Sequence, residues 1–120
     1  MLLRASGALS GETFNLNVVT NGATTVPSNV PHGETLVAFA EAVVGESEAA
    51  LTVAQQCVLV ELGPEALVDA AAVASNFERM VRIADSTGIP LDAVVYEHTM
   101  DERKELHLER FGSAANTPKA

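Results

Sequence analysis

The spacing of apolar positions changes near Pro31. Before it, Phe14, Leu16 and Val18 alternate with Thr13, Asn15 and Asn17, a period of two that reads as a half-buried strand. Asn21-Gly22 follows, a pair suited to the positive φ angles of a tight turn, and residues 23–26 are a candidate return strand. A lone two-stranded hairpin is marginal in water, so this one is expected to pack on something or stay loose. After Pro31 the spacing becomes helical. Over 33–44, Leu36, Phe39, Ala40 and Val43 share one face, while Glu34 and Glu41 point elsewhere. Gly45 closes that helix, and Ser47 is a plausible cap for the next. Over 48–62 the apolar set is Leu51, Ala54, Val58 and Leu62, flanked by Val53 and Cys57. Gly63-Pro64 supplies a stop and a start, and so short a joint makes the two flanking helices close neighbours.

The third helix, from Pro64 to about Asp85, is the strongest element. At 100° per residue, Ala70, Val73, Ala74, Phe77, Met80, Val81 and Ala84 fall within an arc of about 120°. Ser75, Glu78, Arg79 and Arg82 lie opposite, and Asp69, Asn76 and Ile83 follow one border. Gly88 is suited to a left-handed cap, and Pro90 forbids simple continuation. Residues 91–98 are ambiguous: Val94, Val95 and Tyr96 favour strand, yet the stretch is short and follows a terminator. Thr99-Met100-Asp101-Glu102 has the S/T-x-x-E form of a capping box. It predicts a final helix from Met100 to about Arg110, with Leu106, Leu108 and Phe111 as inward candidates. The fold class expected is mainly α: a bundle of about four helices over 32–112, an N-terminal segment 1–31 with a possible short β-hairpin, and a flexible tail 113–120.

Composition narrows the function classes. The chain has 120 residues, the size of one ordinary domain. Its formal charge of −9 argues against nucleic acid, whose phosphates require a basic face, and disfavours anionic membrane surfaces. No run approaches the roughly 18 apolar residues of a membrane span, and residues 1–8 hold no apolar run of signal-peptide length. A cytoplasmic protein is the expectation. The single cysteine cannot form an internal disulfide or a C-x-x-C pair.

No motif assigns a catalytic, cofactor-binding or metal-binding residue. Cys57 falls in mid-helix without an evident cationic neighbour, so it reads as a core or interface cysteine, the alternative being a peroxidatic thiol. His32, His98 and His107 lack the spacing of a metal site and read as surface or capping histidines. His32 with Glu34 is a candidate acid–base pair, although a helix entry with an acidic first turn accounts for both. Arg79, Arg82 and Asp85, three apart, read as a solvated face with local ion pairs or as a patch meeting an acidic partner helix. Asp69 and Asn76, one heptad apart at the border of the stripe, are pocket or interface candidates. Gly7, Gly11 and Gly22 form neither G-x-G-x-x-G nor a P-loop, so no nucleotide cofactor is implied.

The stretch Asn76-Phe77-x-Arg79-Met80-x-Arg82-Ile83-Ala84-Asp85-x-x-Gly88-Ile89-Pro90 resembles the C-terminal part of the alkylhydroperoxidase-like, or carboxymuconolactone decarboxylase-like, superfamily. The run from Phe111 to Thr117 is similar to tails of that group. The likeness covers roughly 33–117 and fails over the first thirty residues. It implies an all-helical fold that assembles as dimers, trimers or hexamers. Active members use a Glu, a C-x-x-C pair and a nearby His, one thiol attacking a peroxide and the second resolving the disulfide. This chain departs there: Cys57 stands alone, with Val60 where the second cysteine would be, and no catalytic residue carries over. The leading expectation is a non-catalytic helical protein acting as a homo-oligomer, with any small-molecule ligand unknown. The alternatives are a one-cysteine peroxidase or a decarboxylase-like lyase using His32, Glu34 or Asp69, and a subunit completed by a separate chain.

Overall fold

A computed structural model describes residue 7, residues 9–21 and residues 29–117. The described residues are mainly helical: α1 (Asn17–Asn21), α2 (Gly33–Val44), α3 (Glu48–Leu62), α4 (Pro64–Thr87), α5 (Ala93–His98) and α6 (Met100–Glu105), with 3-10 turns at Leu108–Arg110 and Gly112–Asn116. Among them there is no strand. None of these helices is long and apolar enough to cross a membrane. The contacts divide the chain into two compact units, one of residues Thr13–Arg79, the other joining the described residues before Thr13 to those from Met80 onward.

In the first unit, α2 and α3 pack on each other through Phe39, Ala54 and Val58, all buried, with Val58 fully inaccessible. Ala42, Val43, Leu51, Leu62, Leu67, Ala70 and Ala71 pack partly against this cluster. The local signals hold at the joints. Ser47 Oγ accepts from the Ala50 N–H at 3.2 Å, closing the first turn of α3. Gly63, at φ 90°, ends α3 with its N–H on the Leu59 carbonyl, and Pro64 opens α4 where no donor is needed. Ala40, expected inward, is exposed.

The period-two reading of 13–18 selected the right side chains and the wrong conformation. Leu16 and Val18 are buried, but Asn17–Asn21 is helical. The cause is local: Asn15 Oδ1 accepts from the Asn17 N–H at 3.0 Å and from Asn17 Nδ2 at 3.2 Å, which turns the chain where a strand would run straight. The expected turn at Gly22 and the return strand over 23–26 lie outside the described residues.

In the second unit, α4 ends on Gly88 at φ 67°, with the Ile89 N–H reaching back to the Ala84 carbonyl at 3.2 Å. Residues 93–98, rich in β-favouring side chains, form α5, because strand preference reflects fit to a sheet and no described sheet exists here. The capping box at Thr99 is not made. The Thr99 hydroxyl, buried, donates instead to the Val95 carbonyl at 2.7 Å, so it belongs to the end of α5. The last helix stops at Glu105, short of the expected Arg110, and His107 at φ 52° separates it from the 3-10 turn that follows. Phe111 is 47% exposed where an inward position was a candidate. The tail is docked as far as Thr117, whose hydroxyl accepts from the Leu91 N–H at 2.8 Å.

Replacing Phe39 by alanine empties the contact between α2 and α3 and is expected to cost about 3–5 kcal/mol. Val60→Ala, at a 74% exposed site on α3, should stay within about 0.5 kcal/mol. Urea unfolding of the two variants measures both.

Candidate functional site

The histidine singled out in the sequence sits at the entry to α2, with a left-handed backbone at φ 54°. Its nearest acidic group is not Glu34. His32 Nδ1 lies 3.5 Å from Glu61 Oε2, and the Thr35 hydroxyl donates to the same oxygen at 2.8 Å. Glu61 comes from the last turn of α3, brought there by the α2–α3 contact, and sequence spacing held no signal for it. Together with Asn29, Val30, Gly33 and Glu34 these residues line an open cavity of about 450 Å³. The His32 and Glu61 side chains are each about half exposed, so their coupling is screened and contributes no more than about 1 kcal/mol.

The other candidates stay apart. His98 Nδ1 lies 2.8 Å from the Val94 carbonyl one turn back, and His107 forms the left-handed break before the 3-10 turn. Among the described residues no three His, Cys, Asp or Glu side chains gather as metal ligands. Cys57 is exposed, not buried, on a face of α3 that also presents Val53 and Val60. Arg79 Nη2 donates to Asn76 Oδ1 at 2.9 Å, a local contact on the surface of α4. Asp69, Arg82 and Asp85 are exposed.

The apolar stripe of α4 is largely exposed. The helix has no buried residue. Ala70 packs on the α2–α3 cluster and Ala74 and Ala84 are half-buried, but Val73, Phe77, Met80 and Val81 are 50–60% exposed.

One polar centre went unnoticed in the sequence. Arg103, on α6, is only 8% exposed. Its guanidinium carbon lies 3.7 Å from the centroid of the Tyr96 ring, Nη2 donates to the Tyr96 carbonyl at 2.9 Å, and Nη1 to Glu109 Oε1 at 3.2 Å. Stacking and hydrogen bonding together hold a cation out of bulk water. The Nε atom is buried and has no acceptor among the described residues. The signal was present: Tyr96 and Arg103 are seven apart, two turns of helix, and nearly continuous helical structure from Ala93 to Glu105 stacks them.

Comparison with protein-family models, with curated proteins and with solved structures returns no significant match to this chain.

Exposure of Cys57 predicts titration of one thiol per chain by a chromogenic disulfide reagent without denaturant. With no paired thiol to resolve a sulfenic acid, wild type and Cys57→Ser are expected to consume organic hydroperoxide at the same background rate. A wild-type rate well above that of the variant would assign the thiol a peroxidatic role.

Proposed function

We propose that the chain is a non-catalytic helical protein that works by self-association, two copies crossing through the half-exposed apolar face of α4. The observation that carries this reading is the 24-residue helix with no buried residue and with Val73, Phe77 and Val81 half exposed or more on one stripe. Contiguous exposed apolar surface marks an interaction site.

The pattern of that stripe favours a second copy as occupant. Along the i, i+4 row the residues are Asp69, Val73, Phe77, Val81 and Asp85, which reads identically in both directions about Phe77. An interface on a two-fold axis uses one patch twice and must be self-complementary, and a palindromic row satisfies that condition when two copies meet antiparallel. Phe77 then meets its own copy, and Val73 of each chain meets Val81 of the other. The aspartates at both ends would face like charges in a long parallel contact, so the helices cross steeply and diverge, as when i±4 ridges interdigitate. The three side chains expose on the order of 300 Å² of apolar surface, roughly a third of what one partner contributes to a standard interface, with the rest supplied by a rim. The resemblance of residues 76–90 to the alkylhydroperoxidase-like superfamily points the same way, since assembly is that group's habit, and the lone Cys57 supports a non-catalytic role.

Sedimentation equilibrium between about 5 and 200 μM tests this. The wild type is expected to approach twice the chain mass at the upper end. Phe77→Glu, at a 60% exposed position, should fold normally and weaken association at least about tenfold. Val60→Glu, on α3, should associate as the wild type does. A monomeric wild type throughout, or a Phe77→Glu variant of unchanged mass, overturns the reading.

A further inference from the structure

We infer that the unit from Met80 onward carries a binding site for a short aliphatic monocarboxylate, held at the Arg103 guanidinium. Beside Arg103 lies a half-open cavity of about 190 Å³. Its polar lining comes from Arg103, Glu109, Ser113 and Thr117, and its apolar wall from Ile89, Leu91 and Leu108. Ile89 and Leu91 are 58% and 43% exposed, so oily surface is left open next to a cation that is itself almost wholly buried. A pocket of this kind, apolar with a few convergent polar groups, is the usual form of a small-molecule site.

The donor count supplies the chemistry. A guanidinium carries five N–H donors in one plane. Among the described residues Arg103 has two acceptor atoms, the Tyr96 carbonyl and one Glu109 oxygen, and the buried Nε–H has none. The Nε–H is enclosed by protein, so a ligand meets the guanidinium at its Nη1–Nη2 end, where one acceptor is the half-exposed Glu109. A carboxylate fits best there, because its two oxygens match the two parallel N–H groups of Nη1 and Nη2. The Glu109 contact is a single 3.2 Å hydrogen bond from a side chain that is 52% exposed. It is the partner an incoming carboxylate displaces, swinging Glu109 into solvent where its hydration is restored. The stacked ring of Tyr96 and the carbonyl bond to Nη2 hold the plane in place during the exchange.

Size sets the tail. An apolar cavity of about 150 Å³ holds benzene, so 190 Å³ admits about six to eight non-hydrogen atoms. That corresponds to a linear chain from butanoate to hexanoate, the carboxylate on Arg103 and the methylenes along Ile89, Leu91 and Leu108.

The chain contains one tyrosine and no tryptophan, so tyrosine emission reports on Tyr96 against no background. The experiment is a fluorescence titration of the full chain with hexanoate, with hexanamide as neutral isostere and acetate as truncated acid. Hexanoate is expected to saturate the signal with a Kd of about 1 mM, and hexanamide and acetate at least about tenfold more weakly. Glu109→Gln, at an exposed site, removes the competing carboxylate and should tighten hexanoate about threefold or more, leaving hexanamide unchanged. Arg103→Lys keeps the charge without the fork and should weaken hexanoate at least fivefold, circular dichroism confirming that it folds. The inference is overturned if hexanoate leaves the emission unchanged to about 20 mM. Equal binding of hexanamide, or a Glu109→Gln variant no tighter than wild type, overturns it as well.

Discussion

Phe39 and Val58, buried against each other's helices, are the contact on which the Thr13–Arg79 unit depends. Around them Ala54, Ala42, Ala70 and Ala71 let the helices come close while removing little surface each, and Val43, Leu51, Leu62 and Leu67 are only partly buried. Apolar burial scales with area, at about 25 cal/mol per Å². A seam that mixes alanines with partly buried Leu and Val therefore fixes helix positions with few fully buried large side chains, and other large ones lie outside it. Val53 and Val60 on α3, and Val73 and Phe77 on α4, remain outside it. The same contact places Glu61 beside His32 and Thr35, so the His32–Glu61 pair is a by-product of helix packing.

The unit from Met80 onward is organised differently. No large apolar side chain described there is buried; the buried groups include Thr99 and Arg103. Thr99 bonds back along its helix, and Arg103 is held by a ring, a carbonyl and a carboxylate. Polar contacts of this kind depend on direction, whereas apolar burial does not. They orient short helices and turns precisely enough to leave a shaped cavity, and they leave one buried donor of the cation unmatched.

Legibility in the sequence followed the range of the interactions involved. Helix boundaries at Gly33, Val44, Glu48 and Leu62 were readable because periodicity, Ser47 and Gly63 act within a few residues. Readings failed where two local signals competed. At residues 13–18 the alternation of apolar side chains met the tendency of Asn15 to bond the backbone two residues on, and the backbone bond set the conformation. At Thr99 a capping-box sequence met an available carbonyl at Val95, and the hydroxyl turned backward. The site residues Glu61, Tyr96 and Glu109 were not singled out, since each acts with a partner supplied by another turn or element.

The sequence by itself determined a mainly helical chain, the stops and starts of its three longest helices, and a formal charge of −9. It also determined that one cysteine cannot do the work of two. The tertiary structure alone decided which apolar positions are core. A helical stripe is a statement about one helix, and whether anything covers it depends on neighbours that spacing does not specify. For α4 the side chains of Val73, Phe77 and Val81 are half exposed or more, while Arg103, a charged residue, is buried. Burial is a property of the assembled fold, and there it inverted what the residue types suggest.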